Sequence, residues 1–247
     1  MNQERFSELC KIHRNLIRER VGIGMLGEKT VHAVLKDYFE EDHLFQEVKV
    51  GKYYADIERS GEIFEIQTKN LYRLYEKIST FIVENQVTVV YPIVVSKKIF
   101  WIDPSTGEYI SARKSNKKGK EAEALYELYG LRDFLLHKNF RICIMLLDVN
   151  EYRAQDGYGK DKKKRASKLD LVPVMLQDEF YLEKKEDYLR FLPKDLPKIF
   201  TSSDYASASG CKLFVAQRAV NILTKIGILH VVGKDGKKNK YEILNFS

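Results

Sequence analysis

Tyr53-Tyr-Ala-Asp-Ile-Glu-Arg-Ser-Gly-Glu-Ile-Phe-Glu-Ile-Gln-Thr-Lys69 is the stretch around which the rest of the chain arranges itself. It reads as two short strands joined at Ser60-Gly61, a small polar pair suited to a tight hairpin turn. A two-residue loop sets Arg59 opposite Glu62, Ile57 opposite Phe64, Ala55 opposite Ile66 and Asp56 opposite Glu65. Side chains alternate along a strand. Ala55, Ile57, Phe64 and Ile66 therefore share one face and can enter a core. Tyr54, Asp56, Glu65, Gln67 and Lys69 share the other. Opposed residues on paired strands lie about 4.5–5.5 Å apart at Cβ. Two carboxylates that close repel unless positive charge lies between them. A hard divalent cation such as Mg²⁺, which takes oxygen ligands, is one remedy. The plainer alternative is a solvent-facing hairpin whose acids point apart, balanced by Arg59 and Lys69.

The chain of 247 residues is 44% hydrophobic and 31% charged, the balance of a folded globular protein. Its length allows one large domain or two ordinary ones. No apolar run approaches the ~18 residues of a membrane span. The N-terminus carries charges and has no apolar signal core. Cys10, Cys143 and Cys211 are odd in number and far apart, which points to a reducing, cytoplasmic setting. Neither they nor the histidines have metal-site spacing. The net charge of +7 is uneven. Residues 111–168 hold 15 Lys and Arg against 8 Asp and Glu, and residues 198–247 hold 8 against 3. Residues 1–110, with Asp56 and Glu65, are slightly acidic. Two basic segments suggest a polyanionic partner.

Along the chain, residues 4–20 have helical spacing. The glycine-rich Val21–Gly27 lacks the preceding strand and the closing Gly-Lys-Ser/Thr of a phosphate loop. A helix over 27–41 follows, with Glu28 in its first turn, where the helix dipole favours a carboxylate. Residues 43–50 read as a strand, 70–84 as a helix, and the β-branched run 87–95 as a strand buried on both faces. A short strand over 98–102, a helix over 121–137 and a strand over 141–149 come next. Residues 153–168, with Lys160-Asp-Lys-Lys-Lys-Arg165, read as an exposed basic loop, either solvated or contacting phosphate.

The order helix, three strands, helix, strand, with Asp56 on the second strand and Glu65-x-Gln67 on the third, resembles the PD-(D/E)XK restriction-endonuclease-like nucleases. The resemblance covers residues 21–96. It implies an α/β fold with a mixed central sheet flanked by helices. It also implies a site in which Glu28, Asp56 and Glu65 bind Mg²⁺ (or Mn²⁺). Gln67 stands where the family usually has Lys, and Ala55 replaces the proline before the Asp. Gln can hold a water but carries no charge. Lys69, two residues further on the same face, can supply it. The catalytic set the resemblance implies is Asp56, Glu65, Gln67 and Lys69, working by metal-assisted phosphodiester hydrolysis.

The last fifty residues are similar to a winged-helix domain. Thr201 or Ser202 caps one helix, Gly210 breaks it, and Lys212–Ile226 forms a second with an apolar stripe ending at Gly227. Strands over 228–232 and 240–244 flank a basic loop, Gly233–Asn239. By this resemblance Lys212, Gln217, Arg218, Asn221 and Lys225 lie on the recognition face. Lys234, Lys237, Lys238 and Lys240 meet phosphates from the wing.

The sequence thus predicts a nuclease-like domain over 1–150, a basic loop and linker over 151–197, and a winged-helix domain over 198–247. The function expected is Mg²⁺-dependent DNA cleavage. The alternative is a catalytically inactive nuclease fold that binds DNA in a regulatory role, which Gln67 favours. DNA is the expected partner, a homodimer is left open, and no membrane is expected.

Overall fold

Ser60 and Gly61 both take positive φ, 53° and 84°, the backbone of a two-residue hairpin turn whose twist matches its strands. The computed structural model describes residues 1–19, 30–103, 105–116, 119–156 and 166–244. The turn joins β2 (Tyr53–Arg59) to antiparallel β3 (Glu62–Ile66) in the expected register, Arg59 opposite Glu62 and Ile57 opposite Phe64.

The fold is α/β, with a large mixed sheet flanked by helices. The remaining strands of this sheet are β1 (Gln46–Val50), β4 (Gln86–Ile102), β5 (Tyr109–Lys114), β6 (Phe140–Ala154) and β7 (Ser167–Leu182). Among the described residues they run in the order β1-β2-β3-β4-β6-β7, with β5 beside β4. β3 and β4 are parallel, with Glu65 opposite Val89, whereas β4 and β5 are antiparallel. The runs 87–95 and 98–102 are one strand, because Pro92 falls just past the last β3 pair, Ile66–Val90, where no β3 partner is left to receive its missing N–H.

β7 corrects the expectation of a linker over 151–197. Its broken alternation, Asp170-Leu-Val-Pro-Val174, hides a strand at the sheet edge, where Pro173 is tolerated. The basic run 160–165 lies outside the described residues, as do Glu28 and the glycine-rich Val21–Gly27.

The chain forms two compact units that interleave along the sequence, so no single cut at residue 150 separates them. The first is Met1–Val48, Pro92–Gly119 and Met145–Glu179. It holds α1 (Gln3–Glu19) and α2 (Thr30–Phe39), joined by the buried Phe6 ring set edge-on to Tyr38 and by Arg5 donating to the Asp37 carbonyl at 2.7 Å. Within it Lys97 and Arg153 bracket the buried carboxylate of Glu151.

The second unit is Lys49–Tyr91, Lys120–Ile144 and Phe180–Ser247. It contains the hairpin and α3 (Tyr75–Phe81), which is preceded by a 3-10 turn over Leu71–Leu74. It also contains α4 (Ala122–Leu128) and the C-terminal elements: β8 (Ile199–Phe200), α5 (Ser202–Ser209), α6 (Leu213–Lys225), β9 (Leu229–Asp235) and β10 (Lys238–Ile243). The last strands form a separate sheet ordered β8-β10-β9. Thr201 caps α5, its hydroxyl accepting from the Ser203 and Asp204 N–H groups while Asp204 reaches back to the Thr201 N–H. Gly210 ends that helix at φ 60°. No helix among the described residues is long and apolar enough to cross a membrane.

Candidate carboxylate site and basic hairpin

The hairpin ladder ends at Ile57–Phe64, and beyond it the carboxylates take over. Asp56 Oδ2 accepts the Ile66 N–H at 2.6 Å, and the Asp56 N–H donates to Glu65 Oε1 at 3.4 Å. The two acids expected to share a face do converge. Asp56 also matters locally, because without it the Ile66 N–H loses its acceptor.

The shared face is drier than the alternation implied. β3 is an inner strand, and Ile63 and Glu65 on that face are both buried. Phe64, expected in the core, is only half-buried. Burial first, and the Asp56 charge second, push the Glu65 carboxyl up to about 7. Lys77 opposes both. Its Nζ lies 2.6 Å from Glu65 Oε2, reaching in from α3.

Lys77, then, brings the positive charge expected of Lys69. β3 stops at Ile66, whose neighbour Gln67 donates its N–H to the Val90 carbonyl at 3.0 Å. The half-buried Thr68 and the exposed Lys69 form a bend before Asn70, which turns left-handed at φ 58°. Residues 65, 67 and 69 therefore do not continue as one row. Lys77 lies twelve residues beyond Glu65, and the signal that could have found it was its position on a predicted helix following the strand.

The carboxylates of Asp56 and Glu65 are hard oxygen ligands of the kind a divalent cation takes, and could form part of its ligand set. Such a cation would share Glu65 with Lys77. Among the described residues no group of three or more His, Cys, Asp or Glu side chains converges. Glu28, the third expected ligand, lies outside them.

Lys212, the residue just before α6, and Gln217 and Asn221 on it are exposed. Arg218 and Lys225 are taken up within the unit. Arg218 stacks on the Tyr126 ring at 3.9 Å and donates to the Tyr126 carbonyl at 3.2 Å. Lys225 pairs with Asp133, and Phe214 meets Tyr126 edge-on. One flank of α6 is thus packed against α4 and the turn after it. Helical periodicity shows that such a flank faces outward from α5, but not what covers it.

The basic loop expected over 233–239 is mostly strand. β9 and β10 pair up to Asp235 and Lys238, leaving Gly236 at φ 57° and Lys237 as the turn. Lys234, Lys237 and Lys238 are exposed, Lys240 is half-buried, and Lys238 Nζ reaches the Ser203 hydroxyl at 3.2 Å.

Fold and site together describe an α/β protein with paired carboxylates on an inner hairpin and a basic β9–β10 hairpin near its C-terminus. Residues 29–183 match the family described as a domain of unknown function, DUF8091, and the chain belongs to that family. It is similar to an uncharacterized protein of Treponema pallidum (strain Nichols), 31% identical over 186 residues that cover 72% of this chain and 71% of that one. No solved structure matches. The family span holds Asp56, Glu65 and Lys77 and ends before β8.

Proposed function

We propose that this protein is a Mg²⁺- or Mn²⁺-dependent deoxyribonuclease, with a restriction-endonuclease-like core and a C-terminal winged-helix domain that binds duplex DNA. The observation that carries the reading is the meeting of Asp56, Glu65 and Lys77: two carboxylates nine residues apart in sequence, with an ammonium 2.6 Å from one of them. Asp56 and Glu65 hold the metal. Lys77 offsets negative charge developing on the phosphate. Gln67 holds a water through its side-chain amide. When bound, the metal polarises a phosphate oxygen and makes water a stronger nucleophile.

The winged-helix reading draws on the capped α5, the α6 that follows it, and the β8-β10-β9 sheet with its exposed lysines. Gln217 and Asn221 are left as base readers on α6, with Lys212 at its start. Lys234, Lys237, Lys238 and Lys240 contact phosphates.

A second reading is favoured by the buried Lys77–Glu65 ion pair together with Gln67: a nuclease-like fold that binds DNA without cutting it. Incubating the protein with supercoiled, linear and single-stranded DNA, with MgCl₂ or MnCl₂ and in EDTA, separates the two. Metal-dependent cleavage that is absent from Asp56→Asn supports the nuclease. Tight binding without cleavage under every condition supports the second reading.

A further inference from the structure

In the first unit, β5 carries an irregularity that changes what one tyrosine faces. Trp101 pairs with Ser111, but Ile102 pairs with Tyr109, so Ile110 is an extra residue. In regular alternation Ile110 takes the side of Phe100 and Tyr109 the opposite one. The bulge reverses this, as bulges do when they re-aim a side chain. Tyr109 therefore joins Phe100 at 5.8 Å and Tyr152 of β6 at 6.4 Å between ring centroids. Phe100 and Tyr152 are themselves stacked at 5.3 Å with an interplanar angle of 24°. Tyr109 is 59% exposed.

The charge beside these rings is positive. Lys98 and Lys114 are paired across β4 and β5 at one end of the cluster, with Lys98 Nζ 5.0 Å from the Phe100 ring centroid. Arg14 of α1 lies close enough to act on the Tyr152 hydroxyl. The acids nearest in sequence, Asp103 and Glu108, belong to the turn at the other end. Glu151, the acid beside Tyr152 in β6, points to the opposite side, toward Lys97.

We propose that this aromatic face of β4, β5 and β6 binds single-stranded DNA, with bases stacked on Tyr109 and the Phe100–Tyr152 pair and phosphates held by Lys98 and Lys114. Aromatic platforms edged by cations take single strands because every base presents a π-face once it is unpaired. A duplex hides those faces in its own stack. The choice of DNA over RNA rests on the proposed function; the stacking does not.

Equilibrium binding of the full chain to a labelled oligothymidylate, followed by fluorescence anisotropy in EDTA, tests this without any cleavage. Tyr109→Leu keeps an apolar strand residue but removes the ring, and weakens single-strand binding about fivefold to a hundredfold. Tyr109→Phe keeps the ring and stays within about twofold of wild type. Lys98→Gln with Lys114→Gln flattens the salt slope by about 1.4, at roughly 0.7 per phosphate contact on a single strand. This second measurement decides the matter if Tyr109→Leu unfolds. The proposal is overturned if Tyr109→Leu binds like wild type, if Tyr109→Phe loses as much as Tyr109→Leu, or if the lysine variant keeps the full slope. An equal Tyr109→Leu loss on duplex DNA overturns the single-strand claim. Tighter binding to oligouridylate overturns the choice of DNA.

Discussion

Lys77 Nζ stands 2.6 Å from Oε2 of Glu65, and the Glu65 side chain is only 2% exposed. A helix thus delivers a cation to an acid on the strand before it. Under the proposed nuclease reading, Lys77→Met removes one electrostatic stabiliser and lowers single-turnover cleavage about a hundredfold or more. Lys69→Ala, at the exposed bend, stays within a few fold, about the scatter of a surface substitution. Saturating enzyme removes binding from the comparison. Equal losses from the two variants count against the site as assigned.

Asp56 and Glu65 respond differently when altered. Asp56→Ala orphans the Ile66 N–H and costs about 1–3 kcal/mol of stability as well as cleavage. Asp56→Asn keeps an oxygen acceptor and loses cleavage with a smaller stability cost. Glu65→Gln also loses cleavage. Urea unfolding run beside the cleavage assay checks each; a Glu65→Gln protein that cuts at the wild-type rate removes Glu65 from the proposed metal site.

The Glu65 carboxyl gives the metal-free protein a pH signature. Burial and Asp56 raise it from 4.5 to about 7, so between those values the folded chain keeps a proton that the unfolded chain has released. Stability contributed by this group is whole below about pH 4.5, falls as pH rises, and levels off above about 7, losing about 3 kcal/mol at most. Unfolding in EDTA from pH 4.5 to 8, wild type against Glu65→Gln, isolates the effect. A difference that does not change with pH contradicts it.

On α6, two neighbours part company. Arg218→Ala strips a stacked, hydrogen-bonded guanidinium from Tyr126 and destabilises the protein by about 1–3 kcal/mol. Gln217→Ala leaves stability unchanged and, under the proposed DNA-binding reading, lowers affinity for duplex DNA. On the same reading, Lys234→Gln with Lys237→Gln in the β9–β10 hairpin reduces the duplex salt slope by about 1.8, at roughly 0.9 per contact. Thermal melts and salt titrations of the three variants check these statements.

Ser60 holds φ 53° without being glycine. Asn adopts that conformation more readily and is favoured before Gly in such turns. Ser60→Asn is expected to stabilise the protein by roughly 0.5 kcal/mol, and Gly61→Val, at φ 84°, to destabilise it by about 1–2 kcal/mol. Urea midpoints at constant slope are the measure.

Local rules carried much of this reading. A two-residue turn and strict alternation fixed the hairpin register, and Thr201, Gly210 and Gly227 marked helix ends by capping chemistry alone. What escaped was set by distant parts of the chain. Nothing local says that β3 has neighbours on both sides, so the burial of Glu65 and its raised pKa were out of reach. Lys77 was visible as a helical residue, but its partner depends on how α3 crosses over between parallel strands. β7 was obscured by Pro173 and scattered acids, which an edge position permits. Arg218 and Lys225 looked solvent-facing because periodicity within α6 cannot see α4.

The Ser60-Gly61 hairpin makes the meeting of Asp56 and Glu65 a matter of parity. Each strand turns a side chain over at every residue, so one residue gained or lost between positions 56 and 65 sends one carboxylate to the far side of the sheet. Substitutions there leave the geometry standing, whereas an odd change of length abolishes it. Relatives that keep the pair are therefore free to vary in spelling across this segment, but insertions and deletions of an odd number of residues belong elsewhere.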